Sequence, residues 1–380
     1  MRACIAVFAL AGCQSVFGLK DPDRLPDSSS TVVPECWGTD INVCVRPPAT
    51  ESRILAGTLD TGSMCDVVED DLCIVAGTEV RIDFLRVTGP RPLVVIASAK
   101  LSVIGFLDAA SHRTGANPDG PGVGAANAAC NSAAGPSYAA SGTGTGGGGG
   151  GGAGGTFSHA GGGGGGSVAA AAKGMPAAPA TAAFRAGCSG QNGGIKAGVT
   201  TVALGGKGGG AVYLVSSTRI YVSGVINASG AAGDSGKCTC APTTSTADLQ
   251  NAESYGGAGG GSGGAIILEA PTIEILTQAI MFADGGGGGQ GASRSTAGEA
   301  GAESQGTTAA LGGRRTDDGG TGPSNGGPGG PGSNGALKVG MPGGNGLSSN
   351  IGGGGGGGGG AGYIKMIGSV TNMGRVSPSS

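Results

Sequence analysis

Charge is scarce in this chain. Only 12% of its 380 residues are Asp, Glu, Lys or Arg, about half the density of an ordinary globular domain, and the net charge is -3. No basic cluster is present to neutralise phosphates, which argues against a nucleic-acid partner. Aromatic residues amount to 3% with a single tryptophan, Trp37, so stacking platforms for sugars or bases are few. Histidine is nearly absent as well. His112 and His159 lie in or beside low-complexity stretches with no acidic residue next to them, so a Ser-His-Asp arrangement is unsupported and both are expected in solvated loops. No amphipathic helical period is visible, and no segment beyond the N-terminus is long and apolar enough to span a bilayer as a helix.

Glycine is what the chain has in excess: 88 residues. Unbroken runs occupy 146–152, 161–166, 285–289 and 352–360. With glycine this common, G-x-G-x-x-G spacings arise by chance and carry no weight. Residues 233–238 faintly echo a phosphate loop, but Cys238 stands where Ser or Thr must meet magnesium. The default for poly-glycine is a mobile loop, because it has high conformational entropy and nothing to bury. A sharper alternative lays the runs side by side as extended polyglycine-II-like helices bonded backbone to backbone.

Between the glycine blocks lie aliphatic segments of one spelling. Leu93-x-Val95 matches Val212-x-Leu214, and Leu101-x-Val103-x-Gly105-x-Leu107-x-Ala109 matches Ile220-x-Val222-x-Gly224-x-Ile226-x-Ala228 without a gap. A third unit runs through Ile266-x-Leu268 and Ile273-x-Ile275 to residues 279–283, and a partial fourth begins at Ile364-x-Met366. Alternation of period two predicts strands with one face buried and the other open. Each unit is about 17 residues, the size of one solenoid coil or one hairpin, and it can cover its apolar face only by stacking on a neighbour. The expected fold is all-β: an irregular β-solenoid, parallel β-helix-like, or alternatively a β-sandwich, with long glycine-rich loops. Residues 35–112 are poor in glycine and form a first β layer, in which Ile82 and Phe84 alternate against Arg81, Asp83 and Leu85. Residues 113–380 form the glycine-rich repeat region joining the same core.

Beyond Cys4 and Cys13 there are eight cysteines, Cys36, Cys44, Cys65, Cys73, Cys130, Cys188, Cys238 and Cys240, an even number suited to disulfides. Cys36/Cys44 and Cys65/Cys73 each close a short loop, which makes them the simplest pairs. Zinc spacing is missing, so no metal and no cofactor are expected. The acidic run 66–71 does not have the spacing of a calcium loop and reads as a solvated, disulfide-closed loop. Trp37, beside Cys36, is expected to pack there. Asp83, Asp108, Glu269, Glu274 and Asp284 lie in or beside strands. The rival to a non-catalytic reading is therefore a carbohydrate-active β-helix, a polysaccharide lyase or hydrolase, which needs two carboxylates facing each other.

The N-terminus carries an address. Arg2 precedes a short apolar stretch that ends in Leu10-Ala11-Gly12-Cys13, which resembles the bacterial lipobox. That resemblance implies a signal peptide over 1–12, acylation of Cys13 and a polar stalk over 13–34. Acylation by more than one chain gives a stable membrane anchor. Gln14 after the cysteine resembles the pattern sorted to the outer membrane. The chain beyond about residue 115 is similar to the PGRS-type glycine-rich surface proteins of bacteria, and lipobox and strand repeat together resemble glycine-rich surface lipoproteins. The resemblance implies a non-catalytic structural or adhesive role at the cell envelope. Its implied partners are the membrane through the lipid and, beyond it, cell-surface polysaccharide or other envelope proteins.

Overall fold

Aliphatic and β-branched residues at alternate positions favour strands because their side chains pack on a pleated surface. The computed structural model describes residues 35–45, 51–114, 117–120, 122–124, 130, 134–140, 147–167, 171–179, 184–238, 253–293, 296–314, 326–346 and 352–379. The signal peptide, Cys13, the stalk and Cys240 lie outside them. Among the described residues there is no α-helix, so none long enough to cross a membrane.

The glycine-poor part holds β1 (Glu35–Trp37), β2 (Val43–Val45), β3 (Arg53–Asp60), β4 (Val67–Glu69), β5 (Leu72–Thr88) and β6 (Leu93–Asp108). Short strands follow: β7 (His112–Thr114), β8 (Asn117–Gly120), β9 (Tyr138–Ala140) and β10 (Gly147–Gly149). The second repeat unit is β11 (Ala211–Ser216), β12 (Arg219–Val222) and β13 (Val225–Asn227). After β14 (Glu253–Ser254) come β15 (Ala265–Ile275) and β16 (Ile280–Phe282), then β17 (Tyr363–Asn372) and β18 (Arg375–Ser377).

Eleven strands form one sheet. All its pairings are parallel except the β4–β5 hairpin. β11 and β12 are two pieces of one segment flanked by the longer β6 and β15, so the pairings β6–β11, β11–β15, β15–β12 and β12–β6 close a four-strand ring. Parallel neighbours ordinarily need a crossover of a dozen or more residues. Only residues 89–92 separate β5 from β6. The β5–β6 pairing is interrupted by register shifts between Gly77 and Glu79 and between Ile82 and Phe84.

The ladder register is the one that the aligned repeat spells. Leu93 faces Val212, Val212 faces Ile266 and Ile266 faces Ile364. Leu101, Ile220, Ile273 and Val370 form another row, and Leu107, Ile226, Met281 and Val376 a third. Apart from Val370, which is exposed, these rows line one continuous core that also takes Leu55, Leu59, Val75, Ile82 and Leu85 from the first layer. Each fully buried aliphatic side chain contributes about 1.5–3 kcal/mol.

Two expectations about faces are corrected. Phe84 is 73% exposed and Leu85 is 2% exposed, because the register shift after Ile82 swaps the inward side. The outward faces of the first strand segments are not open either. The β1–β2 hairpin packs Trp37, Val43 and Val45 over Ile74, Val94, Tyr213 and Ile267, forming a second apolar layer. Trp37 packs beside Cys36 as expected.

The glycine blocks are ordered. Between Gly257 and Gly264, successive amides bond to three different neighbouring segments in rotation. Gly257, Gly260 and Gly263 donate to the carbonyls of Gly354, Gly357 and Gly360 at 2.9–3.0 Å. Ala258, Gly261 and Gly264 donate to Asp234, Ala231 and Ala228 at 2.8–2.9 Å, while Gly259 and Ser262 donate to Gln191 and Cys188 at 2.9 Å. A three-residue period with no bonds inside the segment is the pattern of an extended threefold helix. The run after Gly149 closes a triangle with these. Gly152 and Gly155 donate to Gly257 and Gly260, and Gly354 and Gly357 donate to Gly149 and Gly152. A Cβ on Gly259 would lie 1.9 Å from the Ala153 carbonyl oxygen, so glycine is what permits the approach. The mobile-loop default fails here because each amide from Gly257 to Gly264 has found a carbonyl.

Candidate functional site

The polar side chains concentrate where the sheet hands over to the glycine lattice. Asp108 ends β6 and Asn227 ends β13, facing each other in the ladder. Each bonds to its own backbone two residues on: Asp108 Oδ1 accepts from the Ala110 amide at 3.2 Å, and Asn227 Oδ1 from the Ser229 amide at 2.9 Å. Such Asx turns redirect the chain out of the ladder. Asp284, after β16, is fully buried and accepts from Ser304 Oγ at 2.8 Å, Asn334 Nδ2 at 3.1 Å and Ser377 Oγ. Burial pushes its carboxyl above the ordinary range, although those three donors oppose the shift.

His112 is the centre of this seam. Its Nε2 lies 2.8 Å from Asp108 Oδ2 and its Nδ1 lies 2.7 Å from Glu303 Oε2. Arg86 Nη1 adds a 2.8 Å contact to the same Asp108 oxygen. The Arg113 amide bonds the other Glu303 oxygen, and Arg113 Nε reaches Asp234 Oδ1 at 2.7 Å. The hydrogen bond to Asp108, followed by that to Glu303, raises the His112 pKa to about 9. Burial works against the Asp108 anion, but the His112 bond and the Arg86 charge hold its carboxyl below the ordinary value. His112 is therefore an imidazolium at neutral pH with both N–H groups donating. It is a half-buried clamp and not the solvated loop residue expected of it. Neither nitrogen can accept a proton from a substrate in that state.

The three other strand carboxylates that the sequence singled out each have a partner. Asp83 pairs with Arg81 at 2.8 Å and Glu274 with Arg219 at 3.6 Å. Glu269 accepts from the Thr39 amide at 2.7 Å and from the Tyr213 hydroxyl. A groove of about 440 Å³ beside that carboxylate is walled by Trp37, Ser216, Ser217, Pro271 and Ile367. Trp37 is only 7% exposed, so its ring is no open platform there. Among the described residues no cluster of His, Cys, Asp and Glu could hold a metal. The chain matches no family of proteins, no curated protein and no solved structure.

Among the described residues three cysteine pairs are joined: Cys36–Cys44, Cys65–Cys73 and Cys130–Cys188. Cys238 is also disulfide-bonded. The acidic run is closed by Cys65–Cys73, and it is tied at Asp66 to Arg53 and at Asp71 to Arg91 at 3.4 Å. His159 is half-buried and its Nδ1 is enclosed without a partner, again unlike a solvated loop residue. Glu303, Asp234, Arg113 and Arg86 are members of the seam that the sequence does not single out. The one local signal was Asp108, four residues before His112.

Proposed function

We propose that this chain is a non-catalytic envelope lipoprotein that holds a stiff, glycine-packed body away from a membrane. In this reading the sheet winds as an irregular β-solenoid, parallel β-helix-like, and the insertions after β6, β13 and β16 leave it at one corner and pack together. The observation that carries the reading is the lattice. Runs separated by about a hundred residues bond to one another through backbone groups alone, an arrangement that builds rigidity and offers no reactive side chain. The commitment of Asp83, Glu274 and Glu269 to neighbours supports the structural role over polysaccharide cleavage. Acylation at Cys13 would supply the anchor and residues 13–34 the stalk, with the outer membrane as the destination. Cell-surface polysaccharide or another envelope protein would be the contact made by the displayed body.

Fractionation of cells expressing the wild type and Cys13→Ala tests the anchor. The wild type is expected in the membrane fraction and the variant in the soluble exported fraction. Retention of Cys13→Ala in the membrane removes the lipoprotein reading.

A further inference from the structure

Arg185 is 7% exposed, and among the described residues it makes no ion pair. Its guanidinium carbon sits 4.4 Å from the centre of the Phe157 ring. Nη1 donates to the Ala186 carbonyl at 3.2 Å and lies against both sulfurs of one disulfide, 3.5 Å from Cys130 Sγ and 3.4 Å from Cys188 Sγ. A buried cation is ordinarily met by a carboxylate. Here its neighbours are an aromatic face, a carbonyl and two sulfurs. The other bridges differ. Cys44 Sγ faces the Asn42 amide at 3.8 Å, and Cys65 Sγ faces the Thr61 carbonyl at 3.3 Å; both groups are neutral.

The two sulfurs of the Arg185 bridge are also unequal. Cys188 is 6% exposed and is held in the lattice by its amide, which donates to Ser262 Oγ at 2.8 Å. Cys130 is only half-buried. An incoming thiolate therefore reaches Cys130 more readily. The guanidinium adjoins both sulfurs alike, so exposure decides which is attacked; the sulfur displaced, Cys188 Sγ, keeps a cation 3.4 Å away, and a cation beside a thiolate lowers its pKa and makes it a better leaving group.

We propose that Cys130–Cys188 is an exchange-active disulfide, opened at Cys130 by an external thiol. The external thiolate sulfur attacks Cys130 Sγ, a new S–S bond forms between them, and the Cys130–Cys188 bond breaks. Its electron pair leaves on Cys188 Sγ as a thiolate facing Arg185. Return attack by Cys188 on Cys130 expels the external thiolate and restores the bridge. Attack by a second external thiolate on the external sulfur of the mixed disulfide instead releases Cys130, so two thiols are oxidised to a disulfide while the protein bridge is reduced to a dithiol.

Reduced glutathione is the probe. The oxidised full-length protein, as wild type, Arg185→Met and Arg185→Lys, is treated at neutral pH, acid-quenched, alkylated and mapped by peptide mass spectrometry. Glutathione is expected on Cys130 and the alkyl group on Cys188. Arg185→Met is expected to slow opening of this bridge about tenfold and leave Cys36–Cys44 and Cys65–Cys73 unchanged, whereas Arg185→Lys keeps most of the rate. Glutathione on Cys188, or an equal rate in Arg185→Met, overturns the proposal. Should Arg185→Met fail to fold, the wild type decides alone through the pH dependence of Cys188 alkylation in the glutathionylated protein. A midpoint below about 8.5, the value of an ordinary thiol, supports the assignment, and a midpoint at or above it overturns it.

Discussion

The sheet and the glycine lattice satisfy the same backbone demand with opposite side-chain economies. In the sheet the space between strands is filled by aliphatic rows such as Leu101, Ile220 and Ile273, all fully buried. In the lattice the space is closed by bringing main chains together until no side chain fits, as at Gly259. One region is damaged by removing atoms and the other by adding them. Packing density, then, does not require hydrophobic bulk; it requires that whatever occupies the interior leaves neither voids nor orphaned amides.

Four substitutions, one of them read against a control, probe that contrast. Leu101→Ala should lose about 2–5 kcal/mol in urea unfolding, since it empties a row that continues on both sides. Gly259→Ala should lose about 1–3 kcal/mol by the same measurement, although it adds a single methyl group. A loss no larger than that of Gly135→Ala would dissolve the distinction. Around Gly135 an added Cβ meets nothing within 4 Å, so that change is expected within about 0.5 kcal/mol of the wild type.

The seam gives the third probe. Because the folded His112 pKa is about 9 and the unfolded value near 6.5, its clamp contributes fully below pH 6.5 and is lost as pH rises through 9. The melting-temperature gap between the wild type and His112→Gln should therefore shrink across that interval; a gap that is constant from pH 6 to 10 would refute the clamp. Least affected should be Arg81→Ala, at below about 0.5 kcal/mol, because the Arg81–Asp83 pair is exposed and screened.

Much of the sheet was legible because period-two alternation and repeated spelling favour the register that buries the aliphatic rows of the first three units. The short-range disulfides were legible because close spacing makes pairing cheap in loop entropy. The reversal at Phe84 was not, since it depends on a neighbouring strand: the Asp83 carbonyl oxygen lies where a Cβ of Gly105 would be, 2.0 Å away. Sequence alone cannot reveal that approach. His112 was misjudged for a related reason. Glu303 is 191 residues away in the chain and reaches it only once the third insertion has packed. The lattice was hardest of all. Glycines carry no side-chain information to distinguish one offset from another, so which run bonds to which is decided by the strands that hold their ends.

The triangle formed by the runs near Gly152, Gly257 and Gly354 ties three segments about a hundred residues apart into one cross-section. Assembly must therefore wait for the last side to arrive: without residues 352–360 the amides of Gly257, Gly260 and Gly263 have no acceptors. Such closure is high in contact order and correspondingly slow. A chain cut short before residue 352 should keep its aliphatic rows through Ile273 and yet leave its glycines exchanging their amide hydrogens with water.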